Sequence, residues 1–432
     1  MIESHRANRV SANCYEMTMS RSSQRRMGPT AATGTLEDMI HQTSAVTAAR
    51  RSRGGRISSL DLLRGVAILG TFGTNVFLFA HPGGPAGFFQ DFVGTATGFA
   101  EHVEIGLRVL SNGKFLALLT ILFGVGLELQ YQSARRRGVS WPGRYPLRAG
   151  ILFLEGVAHY LLIFEGDVLM AYGLTSLLVA YLVGRSERVT RTVVMVVGGA
   201  YATLILAVTA MMVSRPDVSD EPIPVGPAAT ASWPAQFSVR LNEFLMLRAE
   251  IILIVPSAVV LFLLGSRLRR AGVFDDTARG GRLRARLLVL GFAVGLPLNV
   301  LTGFSGPDWL LVDRYLLPPL VALGLLALVT HLTLRMRDRP GAVRSGLIAV
   351  GRTALSCYVL QNLLAGILCY GWGFGLAERF ADARPWWIVG LWGFVGLVNV
   401  AFAVAWLRHF DRGPLELLMH RLYAPRRTGT TR

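Results

Sequence analysis

Charge is scarce in this chain. Only 16% of its 432 residues are Asp, Glu, Lys or Arg, where a soluble protein carries about 25%, so an ordinary water-soluble domain is excluded. Cysteine is scarcer still. Cys14, Cys357 and Cys369 are too few for a disulfide scaffold, and the last two lie in apolar segments where a thiol acts as a small hydrophobe. Lysine is nearly missing, Lys114 being the only one. There is no His-Glu-x-x-His zinc motif, no Walker A loop, no Gly-x-Ser-x-Gly elbow and no dinucleotide-binding glycine pattern, so no metal site is expected. The first strong apolar block begins near Leu60, far from Met1, so a cleavable signal peptide is not expected.

Apolar sequence is what abounds, at 52% of residues, and it falls in blocks near the length of a membrane span, about 20 residues. The blocks are residues 60–80, 107–129, 147–164, 167–184, 192–213, 247–266, 285–304, 314–334, 347–371 and 386–407. The fold class they predict is all-α: a polytopic integral membrane helix bundle of about ten transmembrane helices. Blocks three and four are separated only by Glu165-Gly166-Asp167 and must form a tight hairpin. In block two, Arg108 and Lys114 interrupt the apolar run, which allows a later start near Phe115 with 101–113 lying along the interface.

A net charge of +17 in a soluble protein would suggest nucleic acid. Here the arginines gather in the tail up to Arg56 and in alternate loops: 135–148, 185–191, 267–286, 335–344 and 408–432. The intervening loops are acidic, as at Asp217, Asp220 and Glu221. The positive-inside rule then places both termini in the cytoplasm. The cations record topology and contact with anionic headgroups at the cytoplasmic face, each contributing about 1 kcal/mol; the expected partner is the bilayer, not nucleic acid. The organisation expected is a disordered basic cytoplasmic tail (1–55), an N-terminal five-helix half (56–213), an extracytoplasmic loop (214–246), a C-terminal five-helix half (247–424) and a basic tail (425–432).

A charged side chain at mid-membrane costs about 2.5–3.5 kcal/mol, so intramembrane charges are candidate functional groups. Asp61 and Arg64, three apart, share a helix face and can pair. Asn75 returns to that face about 16 Å further along. The stripe is either a ligand site or an ion pair that fixes the helix's depth. Glu155 and His159 lie four apart on one face, and a carboxylate can orient a histidine for general acid–base work; a packing histidine is the alternative. Asp167 and Tyr172 follow in the hairpin. Arg352 sits where it could snorkel to the interface, while Gln361 and Asn362 lie deeper and suit interhelical hydrogen bonds. Pro297 marks an expected kink beside Asn299, and Gly124 and Gly126 read as close helix contacts.

These residues resemble a known pattern. Arg56-Ile57, Leu60-Asp61, Leu63-Arg64-Gly65, Ala67-Ile68-Leu69-Gly70 and Asn75 are similar to the opening of the YeiB family, whose C-terminal region is domain of unknown function 418. Lys114-Phe115, Leu122-Phe123-Gly124, His159, Gly166-Asp167-Val168-Leu169 and Tyr172-Gly173-Leu174 continue the resemblance in order. So do Gly351 to Ser356, Tyr358, Leu360-Gln361, Gly413-Pro414-Leu415-Glu416 and Arg421-Leu422-Tyr423. The Leu-Asp-x-x-Arg-Gly element also resembles a wider superfamily of membrane acyltransferases, including acyltransferase family 3 and the heparan-glucosaminide acetyltransferases. The arginine-spaced histidine pattern of acyltransferase family 3 is absent.

The resemblance implies an uncharacterised multi-pass protein of the bacterial inner (plasma) membrane and a candidate acyltransferase acting on a cell-envelope acceptor. In that reading His159, with Glu155 or Asp167, is catalytic. Asp61, Arg64, Asn75, Lys114, Tyr172, Arg352 and Gln361 would bind substrate, and acyl-CoA would serve as donor with no resident cofactor. The competing expectation is a transporter or flippase for a small amphipathic or anionic solute, since charges line solute paths too. Loss of acylation in His159→Ala and its retention in Arg248→Ala would mark the enzyme.

Overall fold

The computed structural model describes residues 59–85, 98–214, 232–336 and 341–423. The expected tails 1–55 and 425–432 and the acidic loop positions Asp217, Asp220 and Glu221 lie outside the described residues. Among the described residues every regular element is a helix. That is what long apolar blocks require, because in lipid each backbone N–H and C=O must be satisfied within its own segment.

The principal helices are α1 (Ser59–Phe79), α2 (Phe99–Ser111), α3 (Lys114–Arg136), α4 (Tyr145–Leu162), α5 (Leu169–Leu182), α6 (Glu187–Ser214) and α7 (Trp233–Asn242). They continue with α8 (Ile251–Ala271), α9 (Ala278–Leu288), α10 (Leu296–Gly303), α11 (Pro318–Arg335) and α12 (Ala342–Arg352). The last are α13 (Ala354–Cys369), α14 (Trp386–Trp406) and α15 (Pro414–Tyr423).

Among the described residues seven helical runs are long and apolar enough to cross a membrane, and eight if α12 and α13 form one bent span. The architecture is thus the helical membrane bundle expected from the blocks. The arms α4 and α5 account for the smaller count. α5 has 14 residues, about 21 Å of helix, short of a hydrocarbon core of about 30 Å. α4 carries Arg148, Glu155 and His159 within its 18 residues.

Two expectations about helix shape change. Asn112 and Gly113 separate α2 from α3, so the apolar helix starts at Lys114, beside the later of the two starts the sequence allowed, with α2 preceding it in one 38-residue run. Gly113 has φ +70, and a Cβ there would lie 2.5 Å from the carbonyl oxygen of Arg314, so only glycine fits this turn. Block nine, expected as one span, is broken by 93° between α12 and α13. At the break the Thr353 hydroxyl donates to Ala349 O at 3.0 Å. The Glu416 carboxylate of α15 accepts from Leu355 N at 2.8 Å and Ser356 Oγ at 2.5 Å, capping the start of α13. Unpaired N–H groups at a helix start welcome an anion. The kink expected beside Asn299 takes the form of a π-helical stretch, Val289–Gly295, just ahead of Pro297. Proline removes a backbone donor and crowds the preceding turn.

Glycines set the closest helix approaches. A Cβ on Gly124 would meet Phe262 O at 2.0 Å, and one on Gly265 would meet Ile121 O at 2.1 Å, so α3 and α8 touch backbone to backbone. Gly65 and Gly351 do the same for α1 and α12, with a Cβ falling 1.9 Å from Leu347 O and 1.7 Å from Asp61 O respectively. Gly126, expected in the same role, meets only Arg64 Nη2 at 3.8 Å. Gly351→Ala is therefore expected to push α1 off α12 and destabilise by about 1–3 kcal/mol or more, whereas Gly126→Ala is tolerated. Thermal melts in detergent check this, and equal melting of the two variants would refute the contact.

Candidate functional site

The α4–α5 hairpin builds the first half of the site. His159, one turn before the end of α4, is 3% exposed, and its Nδ1 donates to Asp167 Oδ1 at 3.0 Å. The second Asp167 oxygen accepts from Met170 N at 3.0 Å, so this carboxylate also caps α5. Because Nδ1 faces a carboxylate, the lone pair falls on Nε2, which receives the Asn362 amide at 3.3 Å. Asn362 Oδ1 in turn accepts from Asn75 Nδ2 at 3.1 Å. A single consistent assignment of donors and acceptors thus runs Asn75, Asn362, His159, Asp167, Met170.

Arginines brace the hairpin from the α7–α8 side. Arg248 donates to Glu165 O and Asp167 O, both at 3.0 Å, and lies 4.9 Å over the Tyr160 ring. Arg240 grips Glu165 Oε2 through Nε and Nη2, at 3.1 and 3.0 Å. Arg248, expected as a bystander, therefore holds the backbone of the residue that orients His159.

The second half is a cavity of about 450 Å³ between α1, α3, α4, α5, α12, α13 and α15. One end carries Arg64, Arg148 and Arg352 with Gln130 and Glu416; the walls are apolar, among them Ile68, Leu119, Phe123 and Leu152. Val168, Leu169 and Tyr358 line it as well. These adjoin the histidine: Val168 follows Asp167, and the Tyr358 ring lies 5.0 Å from the His159 ring. The cavity thus reaches from Arg64 to Tyr358, whose ring lies against His159.

Of the residues singled out in the sequence, the structure brings His159, Asp167 and Asn75 into one chain and sets Arg64 and Arg352 on the cavity. Asp61 pairs with Arg64 at 3.0 Å. Glu155 does not orient His159. Both its carboxylate oxygens are buried with no hydrogen-bond partner among the described residues, and Asp167 takes the role instead. Gln361 is fully buried, and its amide finds no partner among the described residues; the neighbouring Asn362, about 100° round the helix, reaches His159. Tyr172 shares a hydrogen bond with Thr120 at 2.6 Å and lines a separate void of about 50 Å³.

Lys114 lies elsewhere too. It is 2% exposed, donates to Val109 O and to Asn112 O at 3.3 Å, and interacts electrostatically with Asp313. Arg148, Tyr358 and Glu416 were not singled out as site residues. A signal for Arg148 exists, since 148, 152, 155 and 159 repeat at alternate steps of four and three along one helix face.

A helical membrane bundle with a buried His–Asp pair beside an arginine-rimmed cavity is the class these features define. Residues 268–425 match the model of a family described as a protein of unknown function, DUF418. Over 401 residues the chain is 29% identical to "Uncharacterized protein YeiB" of Escherichia coli (strain K12), covering 84% of this chain and 95% of that one. It is 24% identical over 389 residues to "Uncharacterized protein YxaH" of Bacillus subtilis (strain 168), covering 84% and 93% respectively. These matches bear out the resemblance to the YeiB family.

Proposed function

We propose that this chain is a membrane-embedded acyltransferase of the bacterial inner membrane, moving an acyl group from an acyl thioester to a cell-envelope hydroxyl or amine. The observation that carries this reading is the cavity itself, which runs from three arginines to the wall against His159. His159 holds its Nδ1 proton against Asp167, which leaves Nε2 as the base. An acceptor hydroxyl that replaces the Asn362 amide would give its proton to Nε2 as its oxygen attacks the acyl carbon. The C–S bond then breaks, and the leaving thiolate takes that proton back from the imidazolium. The arginines would hold the anionic end of the donor. Arginines on the remaining cytoplasmic loops would meet anionic headgroups.

The test is direct. Purified protein in lipid nanodiscs is given labelled acyl-CoA and envelope extract. A covalently labelled acceptor is the expected result. Counterflow of a solute in proteoliposomes with no covalent product would overturn the reading in favour of transport.

A further inference from the structure

The cavity's charges do not balance. Arg64 is paired with Asp61 at 3.0 Å. Arg148 donates to the neutral Gln130 amide at 2.7 Å, and Arg352 to the Asp411 backbone carbonyl at 3.0 Å. Among the described residues neither of these two guanidiniums is paired with a carboxylate. Among the described residues Glu416 is the one acid on the cavity wall, and its oxygens accept from Leu355 N, Ser356 N and Ser356 Oγ. Arg148 is half-buried beside a largely apolar chamber and Arg352 is exposed at its rim. Glu155 and Asp61 act on them from beyond ion-pair distance, so both guanidiniums keep donors for an anion that joins them. Guanidinium forks suit the oxygens of a phosphate in particular, because two N–H groups reach two oxygens at once.

The rest of the chamber asks for the opposite chemistry. Beyond the arginines its walls are Ile68, Leu119, Leu122, Phe123, Leu152 and Leu169. A cavity of about 450 Å³ falls in the ordinary range of small-molecule sites. An anion without a tail would leave those walls bare, and a tail without an anion would leave the arginines unpaired.

We propose that this cavity binds a phosphate-headed amphiphile with a single apolar arm, its phosphate on Arg148, Arg352 and Arg64 and its arm running toward Tyr358. The proposal rests on the reading of the cavity as the donor site and names the class of donor. Both a phosphate-bearing acyl thioester and a single-chain phospholipid have this chemistry.

Dodecyl phosphate is the probe, titrated against the full chain in nanodiscs of zwitterionic lipid, with affinity read by calorimetry. Saturable binding is expected, with Arg148→Ala weakening it about tenfold or more, the loss of a hydrogen bond to a charged group, and Arg148→Lys losing less. Arg144→Ala, at an exposed position off the cavity, should bind as the wild type does. Should Arg148→Ala fail to fold, Arg352→Ala at an exposed position gives the same reading. Equal binding of dodecanol, equal binding of inorganic phosphate alone, or no effect of either arginine variant overturns the proposal.

Displacement of the probe by decanoyl-CoA or by lysophosphatidate identifies the source, and displacement by neither overturns the proposal. His159→Ala should bind the probe normally. Binding by the wild type with no transfer to any acceptor would sink the enzyme reading while leaving the ligand class standing.

Discussion

Acyl transfer should fall by about 10²–10⁴-fold when Asp167 is replaced by asparagine, the range spanned by a positioned general base, while the bundle keeps its fold. An amide at position 167 still offers an oxygen to Met170 N, so the cap on α5 survives. The face it turns to His159 Nδ1 no longer demands a proton there. The ring is then free to carry its proton on Nε2, where it cannot accept one from the acceptor hydroxyl. His159→Ala should lose at least as much activity but is the less clean probe. It strands a buried carboxylate, and leaving a buried charged group without its hydrogen-bond partner costs about 1–3 kcal/mol or more.

Both variants are measured as initial rates of label transfer alongside melting temperature. Asp167→Asn with wild-type rate and stability would end the assignment of Nε2 as base. Arg248→Ala is no neutral control for this experiment. It takes two donors from the carbonyls of Glu165 and Asp167 and should lower rate and stability together. Arg144→Ala serves that purpose.

The class of fold was legible because lipid as solvent leaves so few choices. Apolar blocks of near-span length had to be helices, and each of them is. The site was legible in part for a related reason, since ionisable groups are rare enough in such blocks that His159, Arg64 and Arg352 stood out. Periodicity, however, reports which residues share a face, not which neighbour fills it. Glu155, one turn from His159, and Asp167 both stood as its partner in the sequence; the chain reverses at Gly166 and brings Asp167 to the ring. Gln361 and Asn362 were equivalent as sequence, and a single step of rotation decided between them. Arg148 was absorbed into the count of topology arginines because it begins a helix at a basic loop. The 93° break at Thr353 was hidden for a different reason. Its cap, Glu416, comes from α15, some sixty residues downstream, a contact that no local pattern announces.

Lys114→Met should be the most damaging single change outside the hairpin. The lysine is fully enclosed, and its ammonium is held by the carbonyls of Val109 and Asn112 where α2 gives way to α3. Asp313 is the acid that acts on it, and it also accepts from Asn112 Nδ2 at 2.9 Å and Asn299 Nδ2 at 2.7 Å. Beside it Arg314 joins Asn112 Oδ1 at 3.0 Å to Glu250 at 3.0 Å, and Tyr315 also donates to Glu250. Removing only the lysine charge leaves a buried network with one cation too few, and a loss of about 3–5 kcal/mol is expected. The double variant Lys114→Met with Asp313→Asn removes both charges and keeps one acceptor oxygen for the donating asparagines, so it should recover part of that loss. Because neither residue lines the arginine-rimmed cavity, the double variant should also bind dodecyl phosphate as the wild type does. Chemical denaturation in detergent gives the three stabilities. A single variant as stable as the wild type, or a double variant no better than the single, would show that Lys114 is not held by its charge. A double variant that folds yet loses dodecyl phosphate would return Lys114 to the ligand site that its position in the sequence first suggested.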